Sequence, residues 1–175
     1  MKGSKMSQVF LLRHAKAVWP SPGQKDFDRT LDTVGIDDAR ILGQELRRSG
    51  LKPEIVICST AIRARQTLEY LDLEPPFVLE QSEKLFSGGP DAYLMTIRMA
   101  GLEHDKANSV MLVGHNPMME DLAIALAGRG QPPSHPDLQS GFPTAGLAVI
   151  QFDDPLAEIR TGTGTLQAFF ASAHH

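Results

Sequence analysis

The residues best suited to chemistry stand at the ends of short apolar runs. Arg13-His14-Ala15 closes the run Val9-Phe10-Leu11-Leu12. In open α/β sheets, ligands sit beyond the carboxyl ends of strands. A histidine placed there can attack phosphorus, and an arginine beside it can hold a phosphoryl group in a fork of donors. Alone, such a pair is as compatible with a structural strand end as with a site. Two further segments change that balance. In Cys58-Ser59-Thr60-Ala61-Ile62-Arg63-Ala64-Arg65-Gln66-Thr67, a strand gives way to a helix whose first turn carries Arg63. In Val113-Gly114-His115-Asn116-Pro117, a second buried strand ends in Gly-His before a proline-started helix. Three strand ends would thus deliver Arg13, His14, Arg63 and His115 to one cleft, with two helix N-termini adding N–H groups and positive dipole ends. That combination is an anion site.

The elements that must position these residues follow from periodicity. Apolar runs of four to seven residues alternate with segments of helical period, the pattern of βαβ units. Strands are expected over residues 8–12, 54–57, 77–79, 109–113, 146–152 and 166–170, and helices over 33–48, 61–71, 90–100 and 117–127. The first, second and fourth strands lack in/out alternation, as strands covered on both faces do. In the first helix Val34, Ala39, Leu42 and Leu46 form the apolar stripe, Asp32 is the expected N-cap, and Gly50 follows a basic last turn. The segment 128–143, with its prolines, reads as a surface loop. The expected architecture is an α/β fold, a three-layer α/β/α sandwich on a mostly parallel sheet, in a single domain over residues 6–173 with residues 1–5 as an expression leader.

Bulk properties narrow the function classes. With 175 residues and a net charge of −4, the chain has no basic run longer than Arg47-Arg48, which argues against nucleic acid as a partner. No apolar stretch approaches the roughly 20 residues that span a bilayer, so no membrane role is expected. The single cysteine, Cys58, allows no internal disulfide and fits a cytoplasmic setting. His104, His135, His174 and His175 have no sequence neighbours at metal-ligand spacing, and neither a metal nor a cofactor is implied.

The chain resembles the histidine phosphatase superfamily, the phosphoglycerate mutase-like proteins. Leu12-Arg13-His14-Ala15-Lys16 is similar to its signature in the Arg-His-Ala form. The stretch from Asp26 through Arg29-Thr30-Leu31-Asp32 to Gly35 is similar to its Asp-x-x-Arg-Pro-Leu-Thr-x-x-Gly element. Ser59 to Thr67 resembles its Ser-x-x-x-Arg-Ala-x-Gln-Thr element, Gly114-His115-Asn116-Pro117 its second histidine motif, and Pro143-Thr144-Ala145 a further one. The short chain and the Arg-His-Ala form point to the SixA-like phosphohistidine phosphatases. The resemblance implies that His14 becomes phosphorylated, while Arg13, Arg63 and His115 bind the phosphoryl oxygens. His14 must then be neutral, and a protonated His115 would supply a third cation. Two such histidines form a coupled pair.

Thr30 and Asp32 depart from the family's proline and threonine, and Asp caps a helix about as well as Thr. The general acid is not evident: Glu83 and Asp28 are the candidates, with Glu80 close by. An alkoxide leaving group needs a proton more than the imidazole of phosphohistidine does, because a protonated P–N bond is already labile. A weak acid and little room for a lid between Leu71 and Pro90 therefore favour a phosphohistidine-bearing protein domain as partner over a small phosphorylated metabolite. Three alternatives remain: a small-molecule phosphomonoesterase or mutase on this scaffold, a non-catalytic phosphate-binding module, and a cysteine phosphatase using Cys58. The last is disfavoured, because four residues separate Cys58 from Arg63 where such a cradle needs five.

Overall fold

The computed structural model describes residues 6–128, 138 and 141–172. The expected leader, most of the 128–143 loop including His135, and His174 and His175 lie outside the described residues. Six strands, β1 (Ser7–Arg13), β2 (Ile55–Ser59), β3 (Val78–Ser82), β4 (Ser109–Gly114), β5 (Leu147–Phe152) and β6 (Thr165–Phe170), form one sheet in the order β3-β2-β4-β1-β5-β6. Five strands run in one direction and β5 runs against them, since only its pairings with β1 and β6 are antiparallel. The sheet is therefore mixed at one edge, a refinement of the mostly parallel expectation.

The pleat sorts the core into two layers. Val9 and Leu11 of β1, with Val110 and Leu112 of β4, face α4 (Pro90–Glu103) and α5 (Met118–Ala127). Phe10 and Leu12, with Met111 and Val113, face α1 (Thr33–Ser49) and α2 (Ile62–Leu71). Every residue of β2 and β4 is buried, which explains why their sequences do not alternate. Asp32 caps α1 by accepting from the Gly35 N–H at 2.7 Å, and Gly50 ends it at φ 71°. Gly35 is required by proximity rather than flexibility: a Cβ there would lie 2.1 Å from the Lys16 carbonyl oxygen. This close approach presses the start of α1 against the chain leaving β1.

Short features also lie outside the periodic pattern, among them a 3-10 turn at Leu156–Glu158. A 3-10 turn spans Asp26–Asp28, and α3 (Lys84–Ser87) is a single turn between β3 and α4. Among the described residues no helix is long and apolar enough to cross a membrane.

Candidate active site

β1 lies between β4 and β5, so the ends of three strands meet around it. The carboxyl ends of β1, β2 and β4 bring Arg13, Ser59 and Gly114 to one rim. Because β5 runs the other way, its amino end arrives there too, with Leu147 opposite Leu12. The preceding Ala145, at φ 58°, donates its N–H to the carbonyls of both Arg13 and His14, each at 3.1 Å. The pocket at this rim, about 350 Å³, is lined by Arg13, His14, Arg63, His115, Asn116 and Thr144, and by Lys16, Ala17, Trp19 and Arg29 at its mouth. All four charged and imidazole groups singled out from sequence meet here.

His14 is held in one tautomer. Its Nδ1–H donates to the Ala15 carbonyl at 2.7 Å, which leaves the lone pair on Nε2. Arg63 Nε donates to that lone pair at 3.3 Å. Burial pushes the His14 pKa down to about 3, against the upward pull of the Ala15 carbonyl; His115, Arg63 and Arg13 push it down further. The ring is therefore neutral at physiological pH, with an unprotonated Nε2 that faces Arg63.

Arg63 is oriented from the opposite side. Asp26 takes its fork twice, at the backbone carbonyl (2.8 Å) and at Oδ2 (2.9 Å). Partial burial raises the Asp26 carboxyl, but the hydrogen bonds and charges of Arg29 and Arg63 outweigh it and hold the group below its ordinary range. The rest of α2 ties the site to its frame. Gln66 Oε1 accepts from the Leu31 N–H at 2.8 Å. Thr67 Oγ1 accepts from the Ala15 N–H at 2.9 Å and donates to the Arg63 carbonyl at 2.7 Å. Positions 63, 66 and 67 share one helix face, which is the physical content of the Arg-Ala-x-Gln-Thr spacing.

His115 sits 5.2 Å from His14, ring centre to ring centre. Its Nε2 lies 2.8 Å from Ser59 Oγ, which also accepts from the Ala61 N–H at 3.3 Å. We assign the Ser59 hydroxyl as the donor to Nε2, which puts the proton of the neutral ring on Nδ1. Among the described residues, that Nδ1 and Arg13 Nε are buried without a hydrogen-bond partner, which leaves each able to donate to an oxyanion that reaches it. Burial first, then the charges of Arg63 and Arg13, push the His115 pKa down to about 4, with Asp26 opposing. In the free pocket His115 is thus a neutral donor, chiefly because burial disfavours its charged form, with the guanidiniums of Arg63 and Arg13 acting in the same direction.

Tyr93 anchors the strand end that carries His115. Its hydroxyl donates to the Leu85 carbonyl and accepts the His115 N–H at 3.0 Å. A Cβ on Gly114 would lie 2.5 Å from that hydroxyl, so glycine is needed there. Tyr93→Phe strands two buried backbone groups and should cost about 1–3 kcal/mol, read from the urea midpoint. The two histidines make a second prediction. Both folded-state pKa values lie below the ordinary 6.5, so the unfolded chain binds more protons between pH 6.5 and about 3–4. Stability is then fully present above pH 6.5 and is lost as pH falls through that window. Between pH 6 and pH 5 the loss should be on the order of 2 kcal/mol, and His115→Asn should roughly halve the slope.

The geometry has counterparts among known proteins. The profile of the histidine phosphatase superfamily (branch 1) matches residues 9–85. An uncharacterized protein of Mycobacterium tuberculosis is 34% identical over 160 residues, covering 90% of this chain and 98% of that protein. The chain belongs to the histidine phosphatase superfamily. The phosphohistidine phosphatase SixA of Escherichia coli is 29% identical over 160 residues, covering 90% of this chain and 89% of its own. A Nakamurella multipartitia structure provisionally assigned to SixA superposes with a TM-score of 0.83 at 26% identity, covering 98% of this chain and 99% of that one. As a histidine phosphatase, the chain is an enzyme that removes phosphoryl groups through a phosphohistidine formed on the protein.

The remaining candidates of this histidine phosphatase fall elsewhere. Neither Glu83 nor Asp28 is among the described residues lining the pocket. Glu83 is exposed at the start of α3, and Asp28 is half-buried in the 3-10 turn. Cys58 points to the α1/α2 layer, away from Ser59, and burial pushes its thiol up to about 12, so it is not a thiolate nucleophile. It borders a separate cavity of about 630 Å³ between α2 and β3. His104 is less isolated than its sequence context suggests. It hydrogen-bonds Glu80 at 3.0 Å, and Glu103 brings a third ligand atom within 4.8 Å of both; the hydrogen bond accounts for the contact.

Proposed function

We propose that the chain is a protein phosphohistidine phosphatase in which His14 is the nucleophile. In this reading Nε2 of His14 attacks phosphorus and the P–N bond of the substrate breaks; the substrate ring, already protonated at its other nitrogen, takes back the electron pair and leaves as neutral imidazole. Water then attacks the phospho-His14 and releases orthophosphate. Arg63 and Arg13 neutralise the phosphoryl oxygens, and the His115 Nδ1–H donates to them; phosphoryl transfer is chiefly this positioning and charge neutralisation. His14 supplies its lone pair at neutral pH because burial and the Ala15 carbonyl keep it neutral on Nε2.

The observation that carries the substrate class is the lining of the pocket. Among the described residues at its wall are Arg13, Arg63, Lys16 and Arg29 but no carboxylic acid, and the nearby Asp26 carboxylate is held ionised against Arg63 and Arg29 rather than offered as a proton donor. A site of this kind stabilises the transferring group well and the departing group poorly. It therefore suits leaving groups that need little protonation, such as the imidazole of phosphohistidine. The resemblance to SixA of Escherichia coli, whose name states that activity, supports the same reading. Incubation with a histidine-phosphorylated protein domain should release orthophosphate. Release no faster than with His14→Ala would overturn it, as would efficient turnover of one sugar phosphate in its place.

A further inference from the structure

We infer that Trp19 is the specificity-determining residue of this pocket, the aromatic face against which the substrate's phosphorylated imidazole stacks. The inference rests on the phosphohistidine reading and adds to it a residue outside the phosphoryl-binding quartet. Trp19 is 90% exposed, the most exposed of the large apolar side chains among the described residues. An exposed tryptophan alone would be unremarkable on a protein surface. This one also lines the same pocket as His14, Arg63 and His115.

Its backbone is held in place. Ala17 bridges to Leu31, the Val18 N–H donates to the Thr30 carbonyl at 2.9 Å, and the Val18 carbonyl accepts from Arg29 Nε at 2.9 Å. Pro20 follows, which restricts residue 19 to extended conformations. The segment that leads into Trp19 is thus pinned, not loose. A phosphoryl group seated at His14 Nε2 occupies the pocket that Trp19 also lines, so its leaving group shares that pocket with the indole. A planar, nitrogen-bearing ring gains from stacking on indole; ammonia, the leaving group of phosphoramidate, has no face to stack. Lys16 and Arg29 flank the mouth and add attraction for the phosphorylated segment without distinguishing its ring.

Steady-state kinetics on a phosphohistidine peptide and on phosphoramidate test this directly. Trp19→Ala should raise KM for the peptide about tenfold with kcat within about twofold, the equivalent of one good ring contact. KM for phosphoramidate should be unchanged, and Trp19→Phe should recover most of the peptide affinity. Equal shifts on both substrates would show that Trp19 only shapes the pocket, and no shift on either would show an idle surface residue; both results overturn the inference. Failure of the unaltered enzyme on the peptide, with phosphoramidate still hydrolysed, overturns the phosphohistidine reading and the inference with it. A second measurement needs no turnover. Trp19 is the chain's single tryptophan, so its fluorescence reports this position alone. In His14→Ala, a tryptophan-free phosphohistidine peptide should blue-shift or quench the emission, whereas orthophosphate should leave it in place. An emission unmoved by saturating peptide overturns the inference.

Discussion

His14→Ala should reduce turnover by about 10⁴-fold or more and should remove the acid-labile phosphate that the unaltered protein acquires from a phosphodonor. The size of the effect follows from the role. Losing a nucleophile removes a covalent route, whereas losing a stabilising donor leaves the route intact with a higher barrier. His115→Ala should therefore cost less, about 10²–10³-fold, and should still form the phosphoenzyme, only more slowly. The two variants separate because the structure gives the rings different bonds. His14 keeps Nε2 as a lone pair facing Arg63, while His115 has Nε2 engaged by Ser59 and offers Nδ1–H. His14→Ala should remain folded, since it deletes a ring held by only two hydrogen bonds, to the Ala15 carbonyl and from Arg63 Nε. It should also be less sensitive to acid, because one buried neutral imidazole has been removed. A phosphoenzyme persisting in His14→Ala would move the nucleophile to another residue.

Much of the site was legible because each member ends an apolar run. Arg13-His14 closes β1, Arg63 opens the helix after β2, and Gly114-His115 closes β4, and a buried strand can be read from hydrophobicity alone. What could not be read depends on pairing and burial. The direction of β5 is a property of the sheet, so the sequence alone could not place Ala145 on the His14 backbone, although the Pro-Thr-Ala segment was already conspicuous. Tyr93 reads as an ordinary core aromatic on a helix; only its contact with Leu85 and the His115 N–H reveals a tether. Ser59 opens a recognisable motif, yet its bond to His115 joins positions far apart in sequence. The protonation of His115 in the free pocket could not be read either. Its charge depends on how much water and how many guanidiniums surround it, and residue type carries neither quantity. The pairing of Glu80 with His104 likewise needed the edge strand to lie beside the end of α4.

Arg63→Ala should lower kcat by about 10³-fold or more, in the range of arginines that neutralise a transferring phosphoryl group. Arg63→Lys should recover only part of this, although it restores the charge. Three donors on Arg63 serve two partners at once: Nε reaches His14 Nε2, while both terminal nitrogens are taken by Asp26. An ammonium has one nitrogen centre and cannot hold the Asp26 carboxylate, the Asp26 carbonyl and the nucleophile side in a fixed plane. The same logic ranks Asp26→Asn. It keeps Arg63 and its charge but replaces the carboxylate that aims the fork, so kcat should fall by up to about 10²-fold, as for a modest misplacement of a catalytic group. The partner side chain is largely exposed, so the ion pair itself adds little to stability. Asp26→Asn should therefore leave the urea midpoint nearly unchanged while lowering kcat. If Arg63→Lys matched the unaltered enzyme in kcat, or Asp26→Asn left kcat intact, charge alone would be sufficient and the fixed geometry of the clamp would have no catalytic role.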